Sequence, residues 1–386
     1  MLLFDVFLEP IHMYIQRISL NGFKNYDLAE FTLSPGVNVL YGANGAGKTN
    51  LLDAVHYLSA CKSFLVSSDS QNIKTGGDFF FVEGWVSDDA EQLDVQHLQC
   101  AVKKGQGKVF RRNKKEYEKL SDHIGLFPAV VIAPGDHELL HGGSAERRRF
   151  MDSLISVYDK NYLNQLIQYG KLIEQRNAFL KQCNERGLFR DDMLEIYDAQ
   201  LCEPALYLFE KRNELISQLL PLFYEMYGQL SQTDETPRIT VKADLLNENN
   251  PMELFAKTRE KDKSLLYTSA GPHKDDFEFT LSELIVKTAA SQGQQKTFLT
   301  ALKLARYHLI QQKTGKKPVL LLDDIFDKLD ESRVKNLIHI ISNAPFGQVL
   351  ITDTGKNRMN ALMDESGVTS RELEINPKIT VNEAAV

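Results

Sequence analysis

Residues 36–60 read "GVNVLYGANGAGKTNLLDAVHYLSA", and the order of residue types along them decides the fold. Gly42 to Thr49 fit the pattern GxxxxGK[ST]. In that pattern glycines let successive backbone N–H groups turn inward onto a phosphate, and the helix that follows adds its positive end. The loop needs a strand before it and a helix after it. "GVNVLY" reads as a short buried strand, and "TNLLDAVHYLSA" places Leu51, Leu52, Val55 and Leu58 on one helical face. Gly42, Ala43, Asn44, Gly45, Ala46, Gly47, Lys48, Thr49 and Asn50 are therefore the candidate nucleotide cradle, with Lys48 on the β- and γ-phosphates and Thr49 on magnesium.

Rarity does not choose between this motif and a second one. With Gly at about 7% of residues, chance produces a P-loop match on the order of once per hundred chains this long. "HELLH" at 137–141, which fits the zinc-protease pattern HExxH, is about as rare. Context separates them. Zinc needs His137 and His141 one turn apart in a stable helix plus a third ligand, yet Gly142 and Gly143 follow directly and Pro134-Gly135 leave little helix upstream. Surface histidines on a short turn are the expectation. The nucleotide site gains support from "VLLLDDIFDKLD" at 319–330. Four apolar residues ending in paired acids describe a buried parallel strand that presents Asp323 to magnesium. Asp324 stands where a general base orients the attacking water, and being one methylene shorter than Glu it predicts slow hydrolysis.

"SQGQQKT" at 291–297 carries no nucleophile, metal ligand or acid–base pair, yet it opens an apolar helical run. Ser291 can cap a helix beginning near Gln294, which leaves its hydroxyl and the Gly293 amide at a helix N-terminus suited to an anion. The chain holds one P-loop, far from Ser291 in sequence. This second phosphate-facing element is therefore expected to serve a nucleotide held by another copy.

Size and composition bound the rest. A chain of 386 residues with 43% hydrophobic and 25% charged residues is an ordinary folded protein of two or three domains. Cys61, Cys100, Cys183 and Cys202 show no metal-ligand spacing, as in a reducing compartment, and the cytosol is the simplest assignment. No apolar run approaches the ~18 residues of a membrane span. The opening "MLLFDVFLEPIH" lacks the basic n-region and small-residue cleavage site of a signal peptide, and residues 1–12 are expected to be an extension or a misassigned start before the better-formed strand "MYIQRISL". Net charge is −7, but residues 103–119 carry eight basic and two acidic side chains. That run is either a solvated β-hairpin around Gly105 to Gly107 or a nucleic-acid contact through Lys103, Lys104, Arg111, Arg112 and Lys114. Strands dominate the first third of the chain. Residues 144–230 are helical with breaks at Pro204 and Pro221, and strands return near 238 and 277. The expected division is a head in two halves, 13–136 and 237–386, separated by a helical lobe at 137–236.

Residues 42–49, 291–297 and 319–330 resemble the Walker A, signature and Walker B of ABC-type ATPase heads. With "NGFKNY" (21–26), "SAERRRFMD" (144–152), "AGPHKDD" (270–276) and "SQGQQKTFLTALKLA" (291–305), the chain from Met13 onward is similar to the RecF family of DNA replication and repair proteins. The resemblance implies an α/β ABC-type P-loop ATPase head, mixed sheets with flanking helices, split by an inserted helical lobe. It implies a weak ATPase using ATP and Mg2+, a head-to-tail homodimer that sandwiches two nucleotides, and binding to single- and double-stranded DNA at gaps or junctions. RecO and RecR are the implied partners, which help load RecA, in the cytoplasm and with no membrane. By position Lys24 and Asn25 would approach the phosphates, Ser291, Gly293 and Gln294 would cap the nucleotide of the other copy, and Asp330 would belong to the loop crossing the dimer. Thr352 or Thr354 would fill the γ-phosphate sensor position.

The chain departs from the family at Gly135-Asp136, where an acidic residue usually precedes the Asp, at Lys62-Ser63-Phe64, which replaces a more basic stretch, and at Lys274, where Arg is usual. "GPHKDD" reads on its own as a tight turn between strands. Arg147, Arg148 and Arg149 sit in the first turn after Ser144, where cations oppose the helix dipole. Fanned about 100° apart, they cannot share one partner; at least one is expected to pair internally with the head, and Arg148 is a candidate DNA contact. Two other classes use the same loop. A transporter ATPase subunit keeps P-loop and signature closer together and carries a His after its last core strand. A P-loop kinase unrelated to DNA would have no use for a second γ-phosphate cap.

Overall fold

A strand buried on both faces has to be apolar almost throughout, and "AVVI", "VLLL" and "VLITD" meet that condition. The computed structural model, which describes residues 11–87, 95–248, 250–324, 330–343 and 346–376, places them in one parallel sheet. Its order is Ser370–Glu374, Val37–Tyr41, Val349–Asp353, Val319–Leu322, Ala129–Ile132. Asn38 is one of its buried polar residues, with Thr352 and Asp353. Its side chain accepts from Ser34 N at 2.8 Å and donates to Ser34 O and Gly36 O at 2.9 and 3.1 Å, so it closes the turn before the strand. The loop after Val37–Tyr41 leads directly into the helix Lys48–Ala60. That helix and the helix Gln292–Thr314 both pack on Ala129–Ile132.

A second, antiparallel sheet runs in the order Leu28–Thr32, Tyr14–Asn21, Phe79–Ser87, Val95–Lys103, Val109–Arg112, Lys115–Glu116. Its strands alternate: Phe80, Val82 and Val86 face the core while Phe79, Phe81 and Trp85 are at least partly exposed. The inward residues join Leu51, Leu52, Val55 and Leu58 of the helix in one apolar cluster. Gln348, buried, ties the two sheets together. It accepts from Ile15 N and donates to Ile15 O, both at 2.9 Å, and donates to Ser34 O at 2.7 Å.

The chain divides into two units: Met1–Asp136, Glu225–Thr233 and Gln292–Val386 make one, and His137–Tyr224 with Asp234–Ser291 the other. This corrects the expected return to the head at residue 237. Pro237–Lys242, Asp276–Leu281 and Leu284–Ile285 pair only with one another, among the described residues, in a three-stranded antiparallel sheet belonging to the second unit. Alternation in sequence identifies a half-exposed strand but not the sheet that it joins. The second unit also holds the helices Ser144–Tyr158, Lys160–Arg186 and Pro251–Leu265, and most of Asp191–Ser231. The expected breaks at Pro204 and Pro221 do not occur; the helix runs through both. Each proline costs one backbone hydrogen bond, and the fully buried Leu201, Ala205, Leu208, Leu215, Leu219 and Phe223 offset that loss.

Two buried arginines organise this unit. Arg176 donates to Asp198 at 2.9 Å, Asp262 at 2.7 Å and Thr268 at 3.0 Å. Arg212 donates to both oxygens of Asp152 at 3.0 Å, and to Asp275 Oδ2 and Pro272 O at 2.7 Å. "GPHKDD" is thus more than a turn. Asp276 pairs with Arg147 at 2.7 Å, the Asp275 carbonyl accepts from Arg148 at 2.5 Å, and His273 bridges Tyr169 Oη at 2.8 Å and Thr268 O at 2.9 Å. The segment gathers side chains from three helices.

Candidate functional site

The loop of residues 42–47 is left-handed at Gly45 (φ +79°) and Gly47 (φ +115°), a conformation that costs any L side chain. Gly47 has a second reason to lack one: a Cβ there would stand 2.7 Å from Tyr26 Oη and 2.8 Å from Asn25 Nδ2. Those two residues support the loop from beneath. Asn25 donates to Ala46 O at 3.1 Å and accepts from Asn50 Nδ2 at 2.7 Å, and Tyr26 donates to Gly47 O at 3.0 Å. Burial pushes the Tyr26 phenol far above its ordinary range, so it remains a donor. Lys48, only 6% exposed, folds its ammonium onto Gly42 O at 2.6 Å and Ala43 O at 3.1 Å. Carbonyl oxygens are poor partners for a nearly buried cation, and phosphate oxygens would be better ones.

Lys24 departs from expectation. Its ammonium does not lie free toward the cradle but pairs with Asp53 Oδ2 at 2.5 Å. Asp53 is fully buried, and it also accepts from Ser63 Oγ at 2.7 Å and Phe64 N at 2.8 Å. A buried carboxylate requires such a cation. The stretch Lys62-Ser63-Phe64 therefore stabilises this carboxylate.

The two residues expected to hold a metal are 274 apart in sequence and meet in the fold. Thr49 Oγ1 donates to Asp323 Oδ1 at 2.8 Å. Neighbouring corners of a magnesium octahedron with bonds of about 2.0–2.1 Å are about 2.9 Å apart, so this oxygen pair fits two cis ligands of that ion. Burial pushes the Asp323 carboxyl up, and the hydroxyls of Thr49 and Thr352 draw it back. Of the two threonines proposed as sensor, the structure places Thr352 here: fully buried, it donates to Asp323 Oδ1 and accepts from Asp324 N, both at 2.9 Å. Thr354 is exposed and bonds only locally, to Asp353, in the contacts described. Asp324 takes a left-handed backbone, φ +47°, which Asp tolerates better than most residues.

The helix Gln292–Thr314 begins two residues earlier than expected, directly after Ser291, which occupies the cap position. Asp330 caps the helix Glu331–Asn343, accepting from Ser332 Oγ at 2.7 Å and Arg333 N at 3.0 Å, and it pairs with the Arg333 guanidinium. The Ser332 hydroxyl, together with Arg333, holds its carboxyl below the usual range. Residues 325–329 of the quoted acidic stretch lie outside the described residues. Asp136 accepts from Ala133 N at 2.9 Å and pairs with Lys303 of the signature helix at 2.6 Å.

The basic run is a hairpin. Val95–Lys103 pairs with Val109–Arg112, and a tight turn at Asn113 and Lys114, both left-handed, leads to Lys115–Glu116. Lys103, Lys104, Arg111 and Lys114 are exposed and Arg112 is half-buried. Lys108 of the same run points inward, to Asp69 at 2.8 Å and Cys61 O at 2.5 Å. Arg148 is half-buried and donates to the Asp275 carbonyl inside the second unit. Arg147 pairs within that same unit, not with the head. Arg149 is the outward member, 69% exposed and paired with Glu146. At "HELLH" the helix is four residues, Glu138–His141, and His137 precedes it.

Asp53 and Tyr26 escaped sequence reasoning. Tyr26 ends the quoted "NGFKNY", but only the folded chain shows that this loop underlies the P-loop.

Residues 14–376 match the family described as RecF/RecN/SMC N terminal domain. The chain is 42% identical over 352 residues to the DNA replication and repair protein RecF of Phocaeicola vulgatus, covering 91% of this chain and 93% of that one. It is also 42% identical over 358 residues to the protein of the same name from Flavobacterium johnsoniae, covering 92% and 98%. A solved structure described as the recombination mediator protein RecF-ATP in the RecFOR pathway superposes with a TM-score of 0.84 at 29% identity, over 96% of this chain and 97% of that one.

Proposed function

This chain belongs to the RecF/RecN/SMC family and, within it, to the RecF proteins; on that premise we propose that it is a weak ATPase in which ATP joins two copies, the joined pair grips DNA, and hydrolysis releases it. The observation that carries this reading is the Thr49–Asp323 contact of 2.8 Å beside the left-handed glycines and Lys48. Together these groups in one copy suit a magnesium triphosphate. Lys48 exchanges its carbonyl partners for the β- and γ-phosphates. Thr49 and Asp323 would hold a magnesium ion, which when bound would neutralise charge on those phosphates. Asp324 orients the attacking water, with the short reach that makes turnover slow.

The helix that follows Ser291 closes the nucleotide of the second copy, through Ser291, Gly293 and Gln294, while Asp330 belongs to the crossing loop. Hydrolysis times an assembly and leaves the DNA chemically unchanged. DNA at gaps and junctions, single- and double-stranded, is the substrate surface, and the hairpin carrying Lys103, Lys104, Arg111, Arg112 and Lys114 is its contact. RecR and RecO are the partners, in the cytoplasm, and RecA loading is the outcome.

The test combines sedimentation with DNA binding. Mass should double with ATP and not with ADP. Affinity for a gapped duplex should rise with ATP and fall with salt as phosphate contacts require. Nucleotide-loaded protein that stays single at every concentration would refute the proposal.

A further inference from the structure

The helix Gln292–Thr314 starts beside a cation. The guanidinium of Arg333 pairs with Asp330 and lies against Gly293: a Cβ at that glycine would stand 2.9 Å from Arg333 Nη1 and 3.6 Å from its Cζ. Gly293, with no side chain, leaves room for the Arg333 guanidinium where it stands. A positive charge at the start of a helix is disfavoured by the helix dipole unless an anion stands with it. In a single copy that anion is Asp330. Arg333 is 25% exposed at the end of a long stem, so its guanidinium can change partners without repacking the core. Asp330 would keep Ser332 Oγ and Arg333 N if it did.

We propose that Arg333 is a phosphate ligand acting between two copies: its guanidinium leaves Asp330 and binds the γ-phosphate of ATP held in the P-loop of the second copy. This rests on the two-copy reading above. A guanidinium offers a planar fork of N–H donors that matches two phosphate oxygens, which an ammonium cannot do. The γ-phosphate is the group that ATP has and ADP lacks, so Arg333 makes pairing depend on which nucleotide is bound. The Asp330 pair keeps the cation from being left without an anion until then.

Arg333→Ala, Arg333→Gln and Arg333→Lys in the full chain test this. Pairing is measured by analytical ultracentrifugation with a non-hydrolysable ATP analogue and with ADP, and single-copy nucleotide affinity with a fluorescent ATP at low protein concentration. Single-copy affinity should stay within about twofold for all variants. Pairing with the ATP analogue should weaken about tenfold or more in Arg333→Ala and Arg333→Gln and less in Arg333→Lys, while pairing with ADP should not change. If the unaltered protein pairs and Arg333→Ala pairs equally well, Arg333 is no phosphate ligand and the two-copy reading stands. A fall in single-copy nucleotide affinity as large as the fall in pairing would show a merely structural contact and also overturn the proposal. If the unaltered protein never pairs, the two-copy reading falls and takes the proposal with it.

Discussion

Replacing Thr352 by Val removes one hydroxyl and preserves the volume of the side chain. That hydroxyl has two duties, donating to Asp323 Oδ1 and accepting from Asp324 N, both at 2.9 Å. A hydrogen bond to a charged group contributes about 1.5–3 kcal/mol, and an orphaned N–H costs about 1–3 kcal/mol. Thr49 still serves Asp323, and Asp324 is only half-buried, so the lower ends apply and the expected loss is about 2.5 kcal/mol. Part of it reappears as freedom of Asp324 to leave its left-handed backbone, which itself costs about 1–2 kcal/mol. Urea titration without nucleotide or magnesium measures the loss. Trp85, the chain's one tryptophan, lies in the unit that holds Thr352 and reports its unfolding. The midpoint should fall with an unchanged slope, and with ATP present turnover should drop while KM holds. Thr352→Ser should restore most of both. A Thr352→Val midpoint displaced by less than about 0.5 kcal/mol would refute the assignment of both hydrogen bonds.

Three further outcomes are expected. Lys48→Ala should abolish ATP binding by calorimetry and leave the fold intact, because the side chain bonds only to Gly42 O and Ala43 O in the contacts described; micromolar ATP binding by this variant would contradict the cradle. Arg212→Met should cost about 3–5 kcal/mol, read by helical circular dichroism, since it leaves Asp152 and the buried Asp275 without their cation; a loss below about 1 kcal/mol would mean that the network is not coupled. Burial pushes the His273 imidazole from 6.5 down to about 4. The folded state thus resists a proton that the unfolded chain accepts. Stability is full above pH 6.5 and falls toward pH 4, by an amount on the order of 3 kcal/mol. His273→Gln should remove that dependence, so a difference between the two proteins that does not vary with pH would exclude it.

What could be read from residues alone follows from distance along the chain. The cradle was legible because strand, glycines, Lys48, Thr49 and helix are contiguous, and Asp323 because an apolar run ending in acids is a local pattern. The assignment of strands 237–242 and 276–281 was not, because their ladder satisfies itself and nothing local says so. "GPHKDD" hid its purpose for the same reason: Arg147 and Arg212 lie 129 and 63 residues from their partners in it. Lys24 pointed to phosphate by its place in a motif, but the buried Asp53 that takes its charge is a tertiary fact.

The strand Val37–Tyr41 is bordered by Val349–Asp353 on one side and Ser370–Glu374 on the other. During synthesis both of its edges therefore wait, bare, while more than three hundred residues between Tyr41 and Val349 are made. At about 5–20 residues per second that is tens of seconds with an unpaired apolar strand exposed. A ribosome that stops before residue 370 releases a chain in which the P-loop strand lacks a neighbour, so truncated products are expected to meet proteases and chaperones instead of retaining partial activity.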